Sequence, residues 1–433
     1  MRILCTGDIH IGRRASRLPD PLPGHLDAEQ FSCAAAWGAV VDTALREQVD
    51  IVAISGDVVD RQNRYFEAVG PFERGLRHLA DAGIEVVAVT GNHDFDVLPL
   101  LARGVASPHI RLLGTIGRWE RYTVERSGAA VLHIDGWSFP SMQVLTNPLI
   151  SYPAPPDDGV PVLGLLHADL DQSTSQYAPV ALSDLRQGRV AAWLLGHVHH
   201  PRAITGPGRP LVLYPGSPMA MDPGETGAHG PWLLELAPGQ PFSYRQIPTS
   251  CIRYETLSIV LDGIDEPGDL RDHISGSIQQ RLGEIARDGG ELACVSFRVT
   301  LTGRTPLHRE LPNHLKEVVA DFQPQTRSVT GFVDRVFYET RPAFDIDDLV
   351  KRNDPPGELA RVLAALEAGA VSADCRGLLD DTMARLNEVR RHRTYGAIAD
   401  DERPDHETAR RHLLREGYRL LDTLVAQREQ ASP

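Results

Sequence analysis

Short apolar runs alternate with longer amphipathic stretches over the first 115 residues of the chain. The runs predict strands over Arg2–Gly7, Asp50–Gly56, Glu85–Thr90 and Ile110–Leu113. Continuous apolar segments such as IVAIS and VVAV suit strands buried on both faces, which requires helices outside a mostly parallel sheet. Two stretches between the runs, Asp27–Gln48 and Tyr65–Ala82, read as those helices. Asp27 is placed as an N-cap and Gly83 as a C-cap. Strand–helix–strand alternation of this kind predicts crossover units. Further strands are expected at Val131–Asp135, Val162–Leu166, Ala191–Leu195, Leu211–Tyr214 and Trp232–Leu236. Together they predict an α/β fold in which the sheet doubles into a two-layered β-sandwich flanked by helices.

The segment YPAPPDDGVP (Tyr152–Pro161) reads as a surface loop inside this domain, because apolar runs followed by polar blocks continue beyond it. Composition shifts around Pro238–Pro241, which sets the first domain at 1–240. Two strand-like runs, Thr256–Leu261 and Ala293–Leu301, are each followed by a helical pattern, predicting a small α+β capping domain over 250–342. Residues 343–433 form a helical C-terminal region. There Leu359, Val362, Leu363 and Leu366 follow an i, i+3, i+4, i+7 stripe, as do Leu414, Tyr418, Leu421 and Val425. Such stripes either dock on their own domain or serve as a partner-binding arm, the latter as an amphipathic ligand for a coiled coil.

Composition narrows the classes. The net charge of −14 argues against a protein that coats nucleic acid by bulk electrostatics. It leaves room for a nuclease, since bound divalent cations neutralise carboxylates at a site. No stretch approaches the roughly 20 apolar residues of a membrane span. The opening MRILCTGDIH reads as a strand from its start, so a secretory signal is not expected. The five cysteines form no C-x-x-C pair, which fits a reduced, cytoplasmic chain.

Five blocks follow apolar runs and carry metal-ligand residue types. They are GDIH (Asp8, His10), GDVVDR (Asp57, Asp60, Arg61), GNHD (Asn92, His93, Asp94), LLHAD (His167) and GHVHH (His197, His199). Ligands at strand ends of an open α/β sheet converge on one rim. A nitrogen and oxygen donor set without thiolate suits manganese, iron or zinc in a reactive site. Residue economy gives two divalent metal ions. Asp57 bridges; Asp8, His10 and His199 complete one site; Asn92, His167 and His197 complete the other. Such a pair, about 3.5–4 Å apart, clamps a phosphate and lowers the pKa of a shared water. His93 is adjacent to Asn92 and projects differently, so it is expected to protonate the leaving oxygen, oriented by Asp60. Asp94 is expected to support the ligands from behind them.

The ordered set D-x-H, G-D-x-x-D, G-N-H-D, a lone H and G-H-x-H resembles the signature of the calcineurin-like metallophosphoesterase superfamily, over residues 8–199. The resemblance implies a metallophosphoesterase fold and the same metal and catalytic roles at each position. It also implies phosphate contact by Arg61, as in related protein phosphatases. Within the superfamily the chain is similar to the SbcD-type DNA repair exonucleases in GDVVDRQNRYFEA, in YPGSPMAMDPGETGAHG (Tyr214–Gly230) and in RVTLTGRTPLH (Arg298–His308). That resemblance implies 3′-directed exonuclease and endonuclease activity on DNA, Mn2+ dependence and a coiled-coil ATPase partner of the SbcC type. A homodimer is a separate candidate assembly. The loop from Met219 to Pro223 departs from the pattern in lacking basic residues. Two rival readings stand beside it. One is a phosphatase or phosphodiesterase acting on a small molecule or phosphoprotein, favoured by the acidic charge. The other is a DNA-end tethering protein with a vestigial site, disfavoured by five intact blocks.

Overall fold

The computed structural model describes all residues except 61–65, 105–109, 187–189, 238, 288–289, 316–321, 327, 344–345, 370–372, 391–404 and 432–433. The chain divides into two compact units. The first comprises Met1–Thr256, Ile278–Arg298 and Gln323–Asp334, and the second Leu257–Ser277, Val299–Phe322 and Arg335–Pro433.

The first unit is built on two six-stranded sheets. One has strands β1 (Arg2–Thr6), β2 (Ile51–Ile54), β3 (Glu85–Ala88), β4 (Ile110–Leu112), β11 (Trp232–Glu235) and β12 (Ser243–Gln246) in the order β12-β11-β1-β2-β3-β4. The other has β5 (Glu120–Arg126), β6 (Ala129–Trp137), β7 (Val162–His167), β8 (Ala192–Gly196), β9 (Arg202–Ile204) and β10 (Leu211–Tyr214) in the order β5-β6-β7-β8-β10-β9. Strands β1 to β4 pair in parallel, as do β6, β7, β8 and β10, while antiparallel strands sit at the edges.

Side-chain alternation explains the layering. Ile3, Cys5, Ile51, Ala53 and Val87 of the first sheet pack with Ile134, Leu163, Leu165, Leu194 and Leu213 of the second in one buried core. The intervening positions Leu4, Val52, Ile54, Val86 and Ala88 face the other way. They pack against Trp37, Val40 and Val41 of helix α1 (Cys33–Arg46) and Phe72, Leu76 and Leu79 of helix α2 (Phe66–Asp81). On the far face of the second sheet, Trp193, Leu195, Val212 and Tyr214 join Trp137, Phe139 and Leu185. This is the two-layered sandwich with outer helices that the apolar runs predict.

The details correct the reading in places. The stretch Asp27–Gln48 is a 3-10 turn (Ala28–Phe31) followed by α1. Asp27 caps only the turn, through Glu29 N–H; Ser32 caps α1 by accepting from Ala35 N–H. Strands β5, β9 and β12 were not anticipated, because their residues are largely exposed and polar. Strand β12 continues the first sheet past residue 240.

A third sheet has three strands, β13 (Ile252–Val260), β14 (Cys294–Thr302) and β15 (Thr330–Tyr338), with α3 (Pro267–Arg287) between the first two. The strand β15 is additional to the two expected here; beyond its buried start it turns half-exposed and Asp334 and Arg335 interrupt the apolar run, which hides its periodicity. In the second unit, helices Pro355–Glu367, Ala373–Arg390 and His406–Ala431 form a core in which Leu363, Leu366, Leu414, Tyr418 and Leu421 are buried. Both C-terminal stripes therefore supply this core. No helix among the described residues is long and apolar enough to cross a membrane.

One buried ion pair ties the edge of the second sheet. Arg121 donates two hydrogen bonds to the Asp135 carboxylate, at 2.7 and 2.6 Å, and the Tyr152 hydroxyl donates a third at 2.7 Å. Asp135 is buried, so removing its carboxylate leaves a guanidinium and a hydroxyl without their acceptor. Asp135→Ala is expected to cost about 3 kcal/mol in denaturant unfolding, whereas a loss well under about 1 kcal/mol contradicts this account.

Candidate metal centre

Each of the five blocks lies at the carboxyl end of a strand. Asp8 and His10 follow β1, Asp57 and Asp60 follow β2, and Asn92, His93 and Asp94 follow β3. His167 closes β7, and His197 and His199 follow β8. The first three strands belong to one sheet and the last two to the other, so both layers deliver side chains to the same rim.

The chain reaches that rim through sharp turns. Asp8, His10, Asp57 and His197 have φ of 49°, 52°, 51° and 94°, a left-handed backbone that L-residues other than Asp, Asn and His rarely adopt. Strain of this kind persists only where surrounding bonds fix it. Asp8 N–H donates to the Gly56 carbonyl and His10 N–H to the Asp57 carbonyl, each at 3.0 Å. His197 N–H donates to the Asp8 carboxylate at 3.0 Å, and His93 N–H to Asp57 Oδ1 at 2.8 Å. Asp94 accepts from Gly91 N–H and Val58 N–H, at 2.8 and 2.7 Å, and so holds two loops together.

The donor atoms converge. Asp8, His10 and His199 have ligand atoms within 4.8 Å of one another, and so do Asp8, Asp57 and His167. His10 Nε2 and His199 Nε2 are 3.1 Å apart. Asp57 Oδ2 stands 3.4 Å from His167 Nε2 and 3.9 Å from His10 Nε2. Asn92 Oδ1 is 3.0 Å from His167 Nε2, while His167 Nδ1 donates to the Ser55 carbonyl at 3.0 Å, leaving Nε2 as the free lone pair. The His197 ring lies against those of His167 and Tyr177, with centroids 5.4 and 4.8 Å away. Asp60 Oδ1 sits between two imidazoles, 3.6 Å from His93 Nδ1 and 3.5 Å from His10 Nδ1. Arg61 lies outside the described residues.

Burial and charge oppose each other here. Asp8, His10, Asp57, Asn92 and His167 are buried, whereas His93, His197 and His199 are partly open. Burial pushes Asp8 up to about 6, with His199 and His10 pulling against it. Burial also works to raise Asp57, but the neighbouring His167, His10 and His93 hold it below the usual carboxylate range. Asp60 raises His93 above the ordinary histidine value, against burial. Burial takes His197 down to about 4, so its imidazole is neutral and available as a donor. Buried carboxylates and imidazoles, with no sulfur among them, fit hard or borderline divalent cations.

Two contacts escaped the sequence reading. Asp169 Oδ2 lies 3.8 Å from His197 Nε2, and Glu225 Oε1 accepts from His199 Nδ1 at 2.8 Å. Asp169 was visible inside LLHAD, two residues after His167. Glu225 falls in the GETG segment, with no spacing to tie it to His199.

Residues 1–201 match the family model described as calcineurin-like phosphoesterase. Over those residues the chain is similar to the calcineurin-like phosphoesterase family. Residues 254–341 match a second model, the middle domain of metallophosphoesterase YhaO. Among curated proteins, the chain is 28% identical over 226 residues to a Bacillus subtilis protein described as an uncharacterized metallophosphoesterase, YhaO, covering 52% of this chain and 54% of that one. It is 32% identical over 93 residues to the DNA double-strand break repair protein Mre11 of Aeropyrum pernix, covering 22% of this chain and 21% of that one. Against the Mre11 of Haloferax volcanii the identity is 32% over 120 residues, covering 25% of each. The chain thus spans about half the length of the first relative and a quarter or less of the other two.

At this rim Gly196, the last residue of β8, lies against the backbone that follows β2. A Cβ there would meet the Ser55 carbonyl oxygen at 2.1 Å and His167 Nδ1 at 2.5 Å. Gly196→Ala is expected to cost about 1–3 kcal/mol in thermal or denaturant unfolding. An unchanged stability would mean that the strand ends are not locked together as described.

Proposed function

We propose that the chain is a metal-dependent nuclease of the SbcD type, hydrolysing DNA phosphodiesters in end processing and repair in the cytoplasm. The observation that carries this reading is the position of Asp57, whose carboxylate reaches toward His10 on one side and His167 on the other. Asp8, His10 and His199 would hold one cation, and Asn92, His167 and His197 the second, with Asp57 shared. Mn2+ is the proposed metal; iron and zinc suit the same donors. When bound, such a pair stabilises charge on the attacking and leaving oxygens and activates water at neutral pH.

The remaining work falls to side chains of the chain. His93 stands at the partly open rim with Nδ1 toward Asp60, so Nε2 is the atom left to meet substrate. Asp60 favours the imidazolium, which donates its proton to the leaving 3′ or 5′ oxygen as water attacks phosphorus and the P–O bond breaks; the attacking water gives its own proton to solvent, and solvent reprotonates His93. Arg61 is proposed to contact the phosphate. DNA as substrate is supported by the matched segments of two proteins named for DNA double-strand break repair. The residues beyond the phosphoesterase domain are proposed to restrict which DNA ends reach the site. A homodimer and a coiled-coil ATPase of the SbcC type are the proposed assembly. A vestigial tether is disfavoured by a donor set with every block intact.

Purified chain supplied with Mn2+ is expected to degrade linear duplex DNA and to turn over a phosphomonoester poorly. Robust monoester hydrolysis with intact DNA would replace the nuclease by a phosphatase. His93→Ala should lower the rate about 10²–10⁴-fold while leaving the metal content measured by elemental analysis unchanged; full activity would remove His93 from the mechanism.

Asp60 raises the pKa of His93, so the acid form is lost only as pH climbs through that raised value. Taking the charge away lowers it. In Asp60→Asn the alkaline limb of kcat/KM should therefore move to lower pH; a limb that stays in place assigns it to another group.

A further inference from the structure

The histidine pair of GHVHH is not symmetrically supported. His199 Nδ1 donates at 2.8 Å to Oε1 of Glu225, a residue 26 positions along the chain and buried apart from a small fraction of its side chain. The second oxygen of that carboxylate is also held. Met221 N–H donates to Glu225 Oε2 at 2.7 Å and the Ser217 hydroxyl donates to it at 3.1 Å. Ser217 is itself fully buried, and its carbonyl accepts from His229 Nδ1 at 2.9 Å. A chain of hydrogen bonds thus runs from His199 through Glu225 and Ser217 to His229. The carboxylate has three donors on two oxygens and little freedom to rotate.

A neutral imidazole carries one proton, and whichever nitrogen holds it cannot ligate a cation. Glu225 accepts at Nδ1, so it keeps the proton there. The lone pair is left on Nε2, which lies 3.1 Å from His10 Nε2 and within the Asp8–His10–His199 group. Removing the carboxylate frees the ring to flip or to change tautomer.

We propose that Glu225 is a positioning residue for the cation site of Asp8, His10 and His199, fixing His199 so that Nε2 faces that site. The inference rests on the two-cation reading above and deepens it, because it assigns Glu225 to one site and not to the other. The contacts around His167 run to Ser55 and Asn92, with no part taken by Glu225 among those described.

The test is Mn2+ titration by calorimetry on the full chain, with metal-free protein examined by ring 15N NMR. In the wild type, two cations should bind and His199 should carry its proton on Nδ1. In Glu225→Ala, one binding step should weaken about 10–100-fold and the other should hold its affinity. The His199 ring should then show mixed tautomers before any metal is added. Glu225→Gln keeps an amide oxygen as acceptor and should restore the tautomer and part of the affinity. Should Glu225→Ala fail to fold, Ser217→Ala removes one donor to the same carboxylate and should weaken the same step severalfold. Two unchanged binding steps in Glu225→Ala, or equal weakening of both, would overturn the Glu225 assignment alone. A wild-type chain that takes up fewer than two cations would overturn the two-cation reading along with it.

Discussion

Asp57 is a carboxylate with 2% of its surface exposed, set where the ends of two parallel sheets meet. Burying a charge that deeply is costly unless partners offset it, and the local structure supplies them. Its Oδ1 accepts from His93 N–H, and its Oδ2 faces His10 and His167 from opposite sides. Because those histidines arrive from β1 and β7, the carboxylate couples the two sheets as well as the two donor groups. The neighbouring Asp8 and Asp94 intensify the demand, since burial pushes both toward their protonated forms, up to about 6 and about 7. Carboxylates buried this close together suit cations shared between them.

The sheets must meet tightly for this to work, and the backbone bears the strain. Gly56 adopts φ of 98°, and a Cβ on Gly91 would lie 2.1 Å from Asp57 Oδ1. With Gly196, these positions let three strand ends close around the side chains of Asp57 and His167. The left-handed turns at Asp8, His10, Asp57 and His197 then redirect four functional side chains toward one point. The G-D, G-N-H-D and G-H pairings in the sequence are thus consequences of packing as much as of chemistry.

This explains why so much was legible in advance. Metal-binding residue types at the ends of apolar strands are a local signal, and the order of blocks along the chain sets their order in space. The strands that carry them, β1, β2, β3, β7 and β8, are buried on both faces and announce themselves as unbroken apolar runs. Edge strands do not: β5, β9 and β12 expose much of their surface and are polar enough to pass for loops. Glu225 was illegible for a different reason. It lies on a loop between β10 and β11, and its link to His199 exists only after both loops fold back on one rim. Asp27 caps the 3-10 turn before α1 and not α1 itself, because two consecutive helical segments each carry their own capping residue, Asp27 and Ser32.

The account turns on one carboxylate serving two cations. Anomalous diffraction from crystals soaked in Mn2+ measures this directly. The account predicts two peaks about 3.5–4 Å apart, both within bonding distance of the Asp57 side chain. A single peak, or two peaks of which only one touches Asp57, would contradict it.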